Sequence, residues 1–390
     1  MTAGELVEGL PKGARLENYA NNVSRPQNTG FFAADLRRQS RYERRAAQWR
    51  LSSLPRCRKC GRTPVTESGL VAVRHRAGVA GFAGLSTCAS VWACPVCNAK
   101  IMARRAVEIG GAVGLAHQAG MVVVLVTFTL RHDRAQSLRV LWDSVSHCWR
   151  RVITGRHWSK SAREAAGVLG FVRVSEVTYG DRNGWHPHTH TLLFLEPGTT
   201  ARRVDALCFS MWSRWSAGAR AMGLDDPLID GQDWHTIEGP GDIELGRYLS
   251  KSVDQGVGVE LTSTQTKGAR TDFGTVPWWE LLTRVIEDGD AEAAALWSEW
   301  ETTSKGRKQM TWANGTREML GLLREQSDEE IATEELGSTA DDLAYITPDG
   351  WRSLVARPAL IPQVLAATER AGLVGLREFL EAHCVEYVTA

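Results

Sequence analysis

The sequence predicts an α+β protein: antiparallel strands and helices at its centre, a cysteine-rich zinc-binding module before them, and a mostly helical C-terminal region after them. Three patterns carry that expectation. MVVVLVTFTL (121–130), GFVRVSEVTYG (170–180) and the apolar end of GWHPHTHTLLFL (184–195) are β-branched or alternating runs of strand length. Upstream, two Cys-x-x-Cys pairs, Cys57/Cys60 and Cys94/Cys97, bracket one stretch. Beyond residue 277, WWELLTRVIEDG and DAEAAALWSEWETTSKG read as helices.

A chain of 390 residues has room for two or three domains. The expected divisions are a basic N-terminal arm (1–55), the cysteine-rich module (56–105), a central core (115–260) and the helical C-terminal region (261–390). Net charge is only +1, but it is unevenly spread. Residues 37–105 hold 15 Lys/Arg against Glu43 and Glu67, whereas residues 325–342 hold eight Asp/Glu and no Lys/Arg. That asymmetry suggests a polyanion footprint near the N-terminus and an acidic segment away from it. Arg44, Arg45, Arg50, Arg104 and Arg105 are the candidate DNA contacts. The start, MTAGELVEGLPKG, lacks the apolar stretch of a signal peptide, and the run Met121–Val126 is too short to span a bilayer. A cytoplasmic protein is expected, with no membrane partner, in which closely spaced cysteines serve as metal ligands rather than disulfides.

Along the chain, LRRQSRYERRAAQWR (36–50) reads as a basic helix. Cys57, Cys60, Cys94 and Cys97 can surround a zinc ion tetrahedrally at about 2.3 Å. The gap of 33 residues between Cys60 and Cys94 is long for a compact ribbon, and Cys88 is a fifth candidate able to replace one of the four. Such a centre is structural, because four thiolates leave no open position. SLRVLWDSVSHCWRRVITG then repeats Leu138, Leu141, Trp142, Val145, Trp149 and Val152 at helical spacing, closed by Gly155.

The hairpin is the first place where chemistry shows. Successive side chains of a strand point to opposite faces, so His188 and His190 present two imidazoles side by side. Pro187 cannot donate to a ladder, which places the start of pairing near His188 and leaves His186 at the entrance. Val172, Val174 and Glu176 share one face of the preceding strand, and a buried carboxylate is costly unless it is paired or bound to a cation. Glu176 and His186 are therefore both candidates for a third metal ligand. Farther on, VDALCFSMWSRWSAGARAMG reads as a helix and DWHTIEG as a short strand. EEIATEELGSTADDLAYI carries a faint helix-turn-helix pattern, although Asp341 and Asp342 on its second helix would repel phosphates.

GDIELGRYLSKSVDQG (241–256) reads as a helix opened by Asp242, with Glu244, Tyr248, Lys251 and Gln255 on one stripe. A phenol is a poor nucleophile until its anion is stabilised, which Lys251 or a metal-polarised phosphate could do. Glu244 stands one turn before it as a possible general base.

At these residues the chain resembles the HUH endonucleases, and within them the replication initiator (Rep) proteins of rolling-circle plasmids, of the actinobacterial type. LVTFTLRH, WHPHTHTLLF and ELGRYLSK match the three motifs in order, and CASVWACPVC and SKGRKQMTW are similar as well. The resemblance implies a central antiparallel sheet with helices on one side, His188 and His190 as the metal pair, Tyr248 as nucleophile and Lys251 as its helical partner. It implies a protein that nicks one strand at a plasmid origin through a 5′-phosphotyrosine, uses Mg²⁺ or Mn²⁺, and lets Glu244 activate water at termination. Its partners would be the double-stranded origin, the single-stranded nick site, and a host helicase and DNA polymerase, since no G-x-x-x-x-G-K-[ST] loop is present. Two departures stand out: Thr189 occupies the middle of the histidine pair, and no second tyrosine lies near Tyr248. A single-tyrosine transposase of the same chemistry, or a non-catalytic zinc-containing nucleic-acid-binding protein, are the alternative readings.

Overall fold

The computed structural model describes residues 29–239, 242, 275–334 and 341–390. Helix α1 (Thr29–Leu51) leads to a short helix α2 (Pro55–Lys59), the strands β1 (Val71–Arg76) and β2 (Val79–Ala83), and the long helix α3 (Pro95–Gln118). Strand β3 (Val122–Phe128) is followed by α4 (Leu138–Ile153), a π-helical segment His157–Ala165, and the hairpin strands β4 (Val168–Gly180) and β5 (Gly184–Leu195). Next come α5 (Ala201–Ala221), β6 (Asp233–Ile237), β7 (Thr275–Pro277), α6 (Glu280–Asp288) and α7 (Ala291–Ser304). Strand β8 (Met310–Trp312), the short helices α8 (Thr316–Met319) and α9 (Asp328–Thr333), and β9 (Asp341–Ile346) precede α10 (Pro348–Ala356), α11 (Leu360–Ala382) and β10 (Tyr387–Thr389). The fold is α+β, with antiparallel sheets and a C-terminal region that is mostly helical.

The main sheet runs β6-β3-β5-β4-β7, with β8 also paired to β4, so the histidine strand β5 is central. Its run Leu192–Leu195 is apolar at every position, which requires cover on both faces. Val124, Val126, Phe128, Leu193 and Leu195 face α4 and α5, whose Trp142, Trp149 and Trp215 fill that layer. Val123, Leu125, Val172, Val174, Leu192 and Phe194 pack on Ile109, Ala112, Val113 and Ala116 of α3. Helices therefore cover both faces, not one side as the resemblance implied. Helix α4 starts where expected, because the Ser137 hydroxyl accepts the Val140 amide and satisfies an end the helix cannot. Leu193 is fully buried, and its truncation to alanine would cost roughly 2–5 kcal/mol.

Pairing in the β4–β5 hairpin begins at Gly180–Gly184 and includes Val177–Pro187, four residues earlier than proline chemistry alone had suggested. The reason lies on the other side of β5. Strand β3 pairs with it only as far as Thr189, so no neighbouring strand asks for the missing Pro187 N–H.

A second sheet, β10-β9-β1-β2, explains the long cysteine gap: the β1–β2 hairpin lies inside it and pairs with the C-terminal β9. Val71, Val73, Ala344 and Ile346 bury against Trp351, Val364 and Leu376. Residues 341–346 are thus a strand with buried alternate positions, and the helix-turn-helix reading of this stretch is overturned. The acidic segment is also not remote from the basic one. Arg105 pairs with Glu325 and Asp328, Arg56 with Glu329, and Arg74 with Asp342 at 2.6 Å, while Lys100 donates to the Ala332 carbonyl at 3.0 Å. Opposite charges far apart in the sequence found each other in the fold.

Candidate metal centre and thiol cluster

Register places the first site. Glu176 on β4 pairs with His188 on β5, and Thr127 on β3 pairs with His190, so two strands flank the histidines with polar side chains on the same face. Glu176 Oε2 lies 3.0 Å from His190 Nε2 and 3.4 Å from His188 Nε2. The three donor atoms fall within 4.8 Å of one another. His188 Nδ1 is 3.1 Å from the His186 carbonyl and His190 Nδ1 is 2.9 Å from Thr127 Oγ1. With Nδ1 engaged by those outer partners, both Nε2 atoms turn toward the carboxylate: protonated they donate to it, and deprotonated they offer lone pairs to a metal, the way outer hydrogen bonds orient metal-binding imidazoles. Burial opposes the charge on Glu176, but the hydrogen bonds and charge of His188 and His190 prevail and hold its carboxyl well below the usual range. Two imidazoles and one carboxylate fit Mn²⁺, Co²⁺ or Zn²⁺, and three protein donors leave positions open.

His186 is not in that group. Its Nδ1 lies 2.7 Å from His132 Nε2, and His132 Nδ1 lies 3.1 Å from the Asn183 carbonyl, so the protons run His186 to His132 to backbone. Burial, and then the neighbouring His188, push the His186 imidazolium down to about 3, leaving the ring neutral. His132 and Thr127 were not singled out in the sequence. His132 ends LVTFTLRH, one motif away, and Thr127 becomes visible only once β3 and β5 are in register.

The second site is closed. Cys60, Cys88, Cys94 and Cys97 gather their sulfurs, with Cys60 Sγ 3.7 Å from Cys94 and 3.6 Å from Cys97, and Cys88 3.6 Å from Cys97. Tetrahedral sulfurs about 2.3 Å from a zinc ion sit about 3.8 Å apart, so the set fits zinc closely. All eight cysteines are thiols. Cys88 thus takes a place offered to Cys57, which is buried beside it but outside the group of four. The Cys88, Cys94 and Cys97 thiols hold the Cys60 thiol far below its ordinary pKa.

The five arginines read as DNA contacts divide by burial. Arg44 donates to Thr283 Oγ1 at 2.8 Å and Glu280 at 3.0 Å, and burial lowers its pKa. Arg45 lies over the Tyr42 ring at 4.3 Å, and its guanidinium occupies the space a side chain at Gly61 would need beside the thiols. Arg105 is held by Glu108 and the Gln326 carbonyl. These three are buried, whereas Arg50 and Arg104 are exposed. Glu244, Tyr248 and Lys251 lie outside the described residues. Asp242 is described, and its carboxylate accepts the Glu238 amide at 3.1 Å.

Together these features define a class: an α+β protein with an open His–His–Glu centre on two adjacent strands of an antiparallel sheet and, separately, a buried thiol cluster. Comparison narrows the class. Residues 82–219 match the family described as Replication protein. The chain is 28% identical over 367 residues to Protein rep of Streptomyces lividans, covering 78% of this chain and 80% of that one. It is 33% identical over 162 residues to a Neomycin resistance protein of Streptomyces cyanogenus (36% and 37% of the two chains), and 26% identical over 139 residues to Protein rep of Lentilactobacillus hilgardii (35% and 42%). No solved structure matches. The chain is thus similar to Rep replication proteins, and the matched segment carries the cysteine cluster from Cys88 onward, Glu176 and the histidine strand.

Proposed function

We propose that this protein initiates rolling-circle replication of a plasmid in the bacterial cytoplasm, as an HUH-type endonuclease that nicks and rejoins one strand of its origin. The observation that carries the reading is the convergence of Glu176 on β4 with His188 and His190 on the central strand β5. Similarity to Rep proteins supports the replication role, and the Tyr248 helix motif supplies the nucleophile. Among the described residues no helix is long and apolar enough to cross a membrane.

In this reading the Tyr248 oxygen forms a bond to the scissile phosphorus as the P–O3′ bond breaks. The phenol loses its proton, and the departing 3′ oxygen takes one up. The product is a 5′-phosphotyrosine and a 3′-hydroxyl for a host polymerase, with duplex opening left to a host helicase. Lys251 stabilises the phenolate, and Glu244 removes a proton from water at termination. A Mg²⁺ or Mn²⁺ ion held by Glu176, His188 and His190 would polarise the phosphodiester as a Lewis acid. Zinc at Cys60, Cys88, Cys94 and Cys97 would serve folding.

The test incubates purified protein with single-stranded and supercoiled origin DNA and Mn²⁺, beside Tyr248→Phe. A covalent adduct mapped by mass spectrometry to Tyr248, and absent from the variant, is the expected result. DNA binding with no adduct on any substrate or metal would instead leave a zinc-containing binding protein, and joining of foreign ends would indicate a transposase.

A further inference from the structure

A cavity of about 510 Å³ opens between the C-terminal half of α4, the π-helical segment and the β4–β8 edge. Its size suits one nucleotide-scale ligand. Three arginines line it, Arg150, Arg163 and Arg173, and no carboxylate does. Arg163 reaches the Leu169 carbonyl at 3.5 Å, while Arg150 and Arg173 have no ion pair among the described residues. Arg173 is the informative one. Its Nε is buried without a hydrogen-bond partner, and its guanidinium lies 5.6 Å from the Trp149 ring centre. Burial alone lowers it to about 10, as expected of a cation with no counter-ion. Of the buried arginines, Arg44 and Arg105 have carboxylates, whereas Arg45, like Arg173, has an unpartnered Nε and stands against aromatic rings.

The lining is also aromatic. Phe171 meets Trp149 edge-on at 5.3 Å and Trp158 at 5.8 Å, and Trp158 is the half-buried ring of the three. Trp158 and Arg163 both come from the π-helical segment, a geometry frequent at functional sites. Cations without counter-ions beside a stacking ring are the chemistry by which proteins hold unpaired nucleotides.

We propose that this cavity seats one nucleotide of single-stranded DNA, its base against Trp158 and its phosphate against Arg173, Arg150 and Arg163. The assignment rests on the reading of this protein as an enzyme that acts on an origin strand. Arg173 and Glu176 are three residues apart on β4, about 10 Å, and on opposite faces. A strand engaged at the metal centre reaches the cavity by crossing the edge of β4, where β8 pairs with Val172–Val174 and β7 with Thr178–Gly180. The cavity would hold the strand outside the reacting phosphate and fix its path.

The experiment uses the full chain in EDTA, so that nothing is cut while binding is read. A fluorescein-labelled thymidine 12-mer is titrated by anisotropy across a salt series. Trp158→Ala is expected to weaken binding about tenfold. Arg150→Ala with Arg163→Ala is expected to lower the slope of log affinity against log salt by about 1.4. Arg352→Ala, exposed on α10, should change neither. Photocrosslinking of a 5-bromodeoxyuridine oligonucleotide to the unaltered protein should give a modified peptide containing Trp158, which needs no variant. Unchanged affinity and slope, with no crosslink in the cavity, overturn the proposal. Thymidine monophosphate binding as tightly as the oligonucleotide also overturns it, in favour of a free-nucleotide site. Adduct formation is read separately with Mn²⁺. Strand binding that falls in these variants without any Tyr248 adduct keeps the cavity and refutes the nuclease, and the converse refutes the cavity alone.

Discussion

The two donor clusters are built from different logic. At the thiol cluster four side chains close around a point, every one of them buried, and nothing remains for a substrate. At the histidine centre three donors meet on one face of two paired strands, their side chains 11–22% exposed, with the outward nitrogens of both histidines already hydrogen-bonded. The first geometry suits holding a fold together, and the second suits holding a substrate atom. A metal ligand list alone would not separate them; coordination left open, and exposure, do.

The largest effect expected from that contrast is at the closed site. Cys94→Ser should remove zinc and with it a folding contribution on the order of 10 kcal/mol. That is comparable to the whole stability of a domain, so the variant should lose its zinc equivalent by elemental analysis and its cooperative melt. At the open site His190→Ala should spare the fold yet lower nicking by roughly 10³-fold, the scale of several kcal/mol of charge stabilisation. A His190→Ala protein that melts like a zinc-free one would merge the two sites into one structural role. Thr127→Val tests the support behind the ligand, since Thr127 Oγ1 is what His190 Nδ1 bonds to. Loss of such an outer partner typically costs 10–100-fold in metal affinity or activity, measured as the Mn²⁺ concentration needed for half-maximal nicking. The smallest change is expected from Cys57→Ser. Zinc content should stay at one equivalent with a modest drop in Tm, and loss of zinc would put Cys57 back among the ligands.

The same contrast shows what the sequence could disclose. Both clusters were legible because their residues are close in the chain: alternate positions in HPHTH, and the two Cys-x-x-Cys pairs. Glu176 was reachable by strand alternation, because one hairpin turn brings it beside His188. What depended on distant pairing was not legible. Nothing local in Val71–Arg76 announces Asp341–Ile346 as its partner, so a strand there read as part of a helix pair. Charge counting failed for a related reason. Arg44, Arg45 and Arg105 look like surface cations in a list, yet all three are buried, Arg44 and Arg105 against partners far along the chain, and the acidic stretch 325–342 supplies counter-charges to the basic one. Cys88 won over Cys57 in the same way, through the path of the chain between the pairs.

The measurement that bears most directly on the account takes one sample through a chelation cycle. Protein treated briefly with EDTA is assayed for nicking and for Tm, then assayed again after Mn²⁺ is added back. Nicking is expected to vanish and return while Tm stays where it was, because the open centre exchanges its ion and the buried thiols keep theirs. Nicking that survives the chelator, or nicking and Tm that fall together, would contradict the division of labour between the two centres.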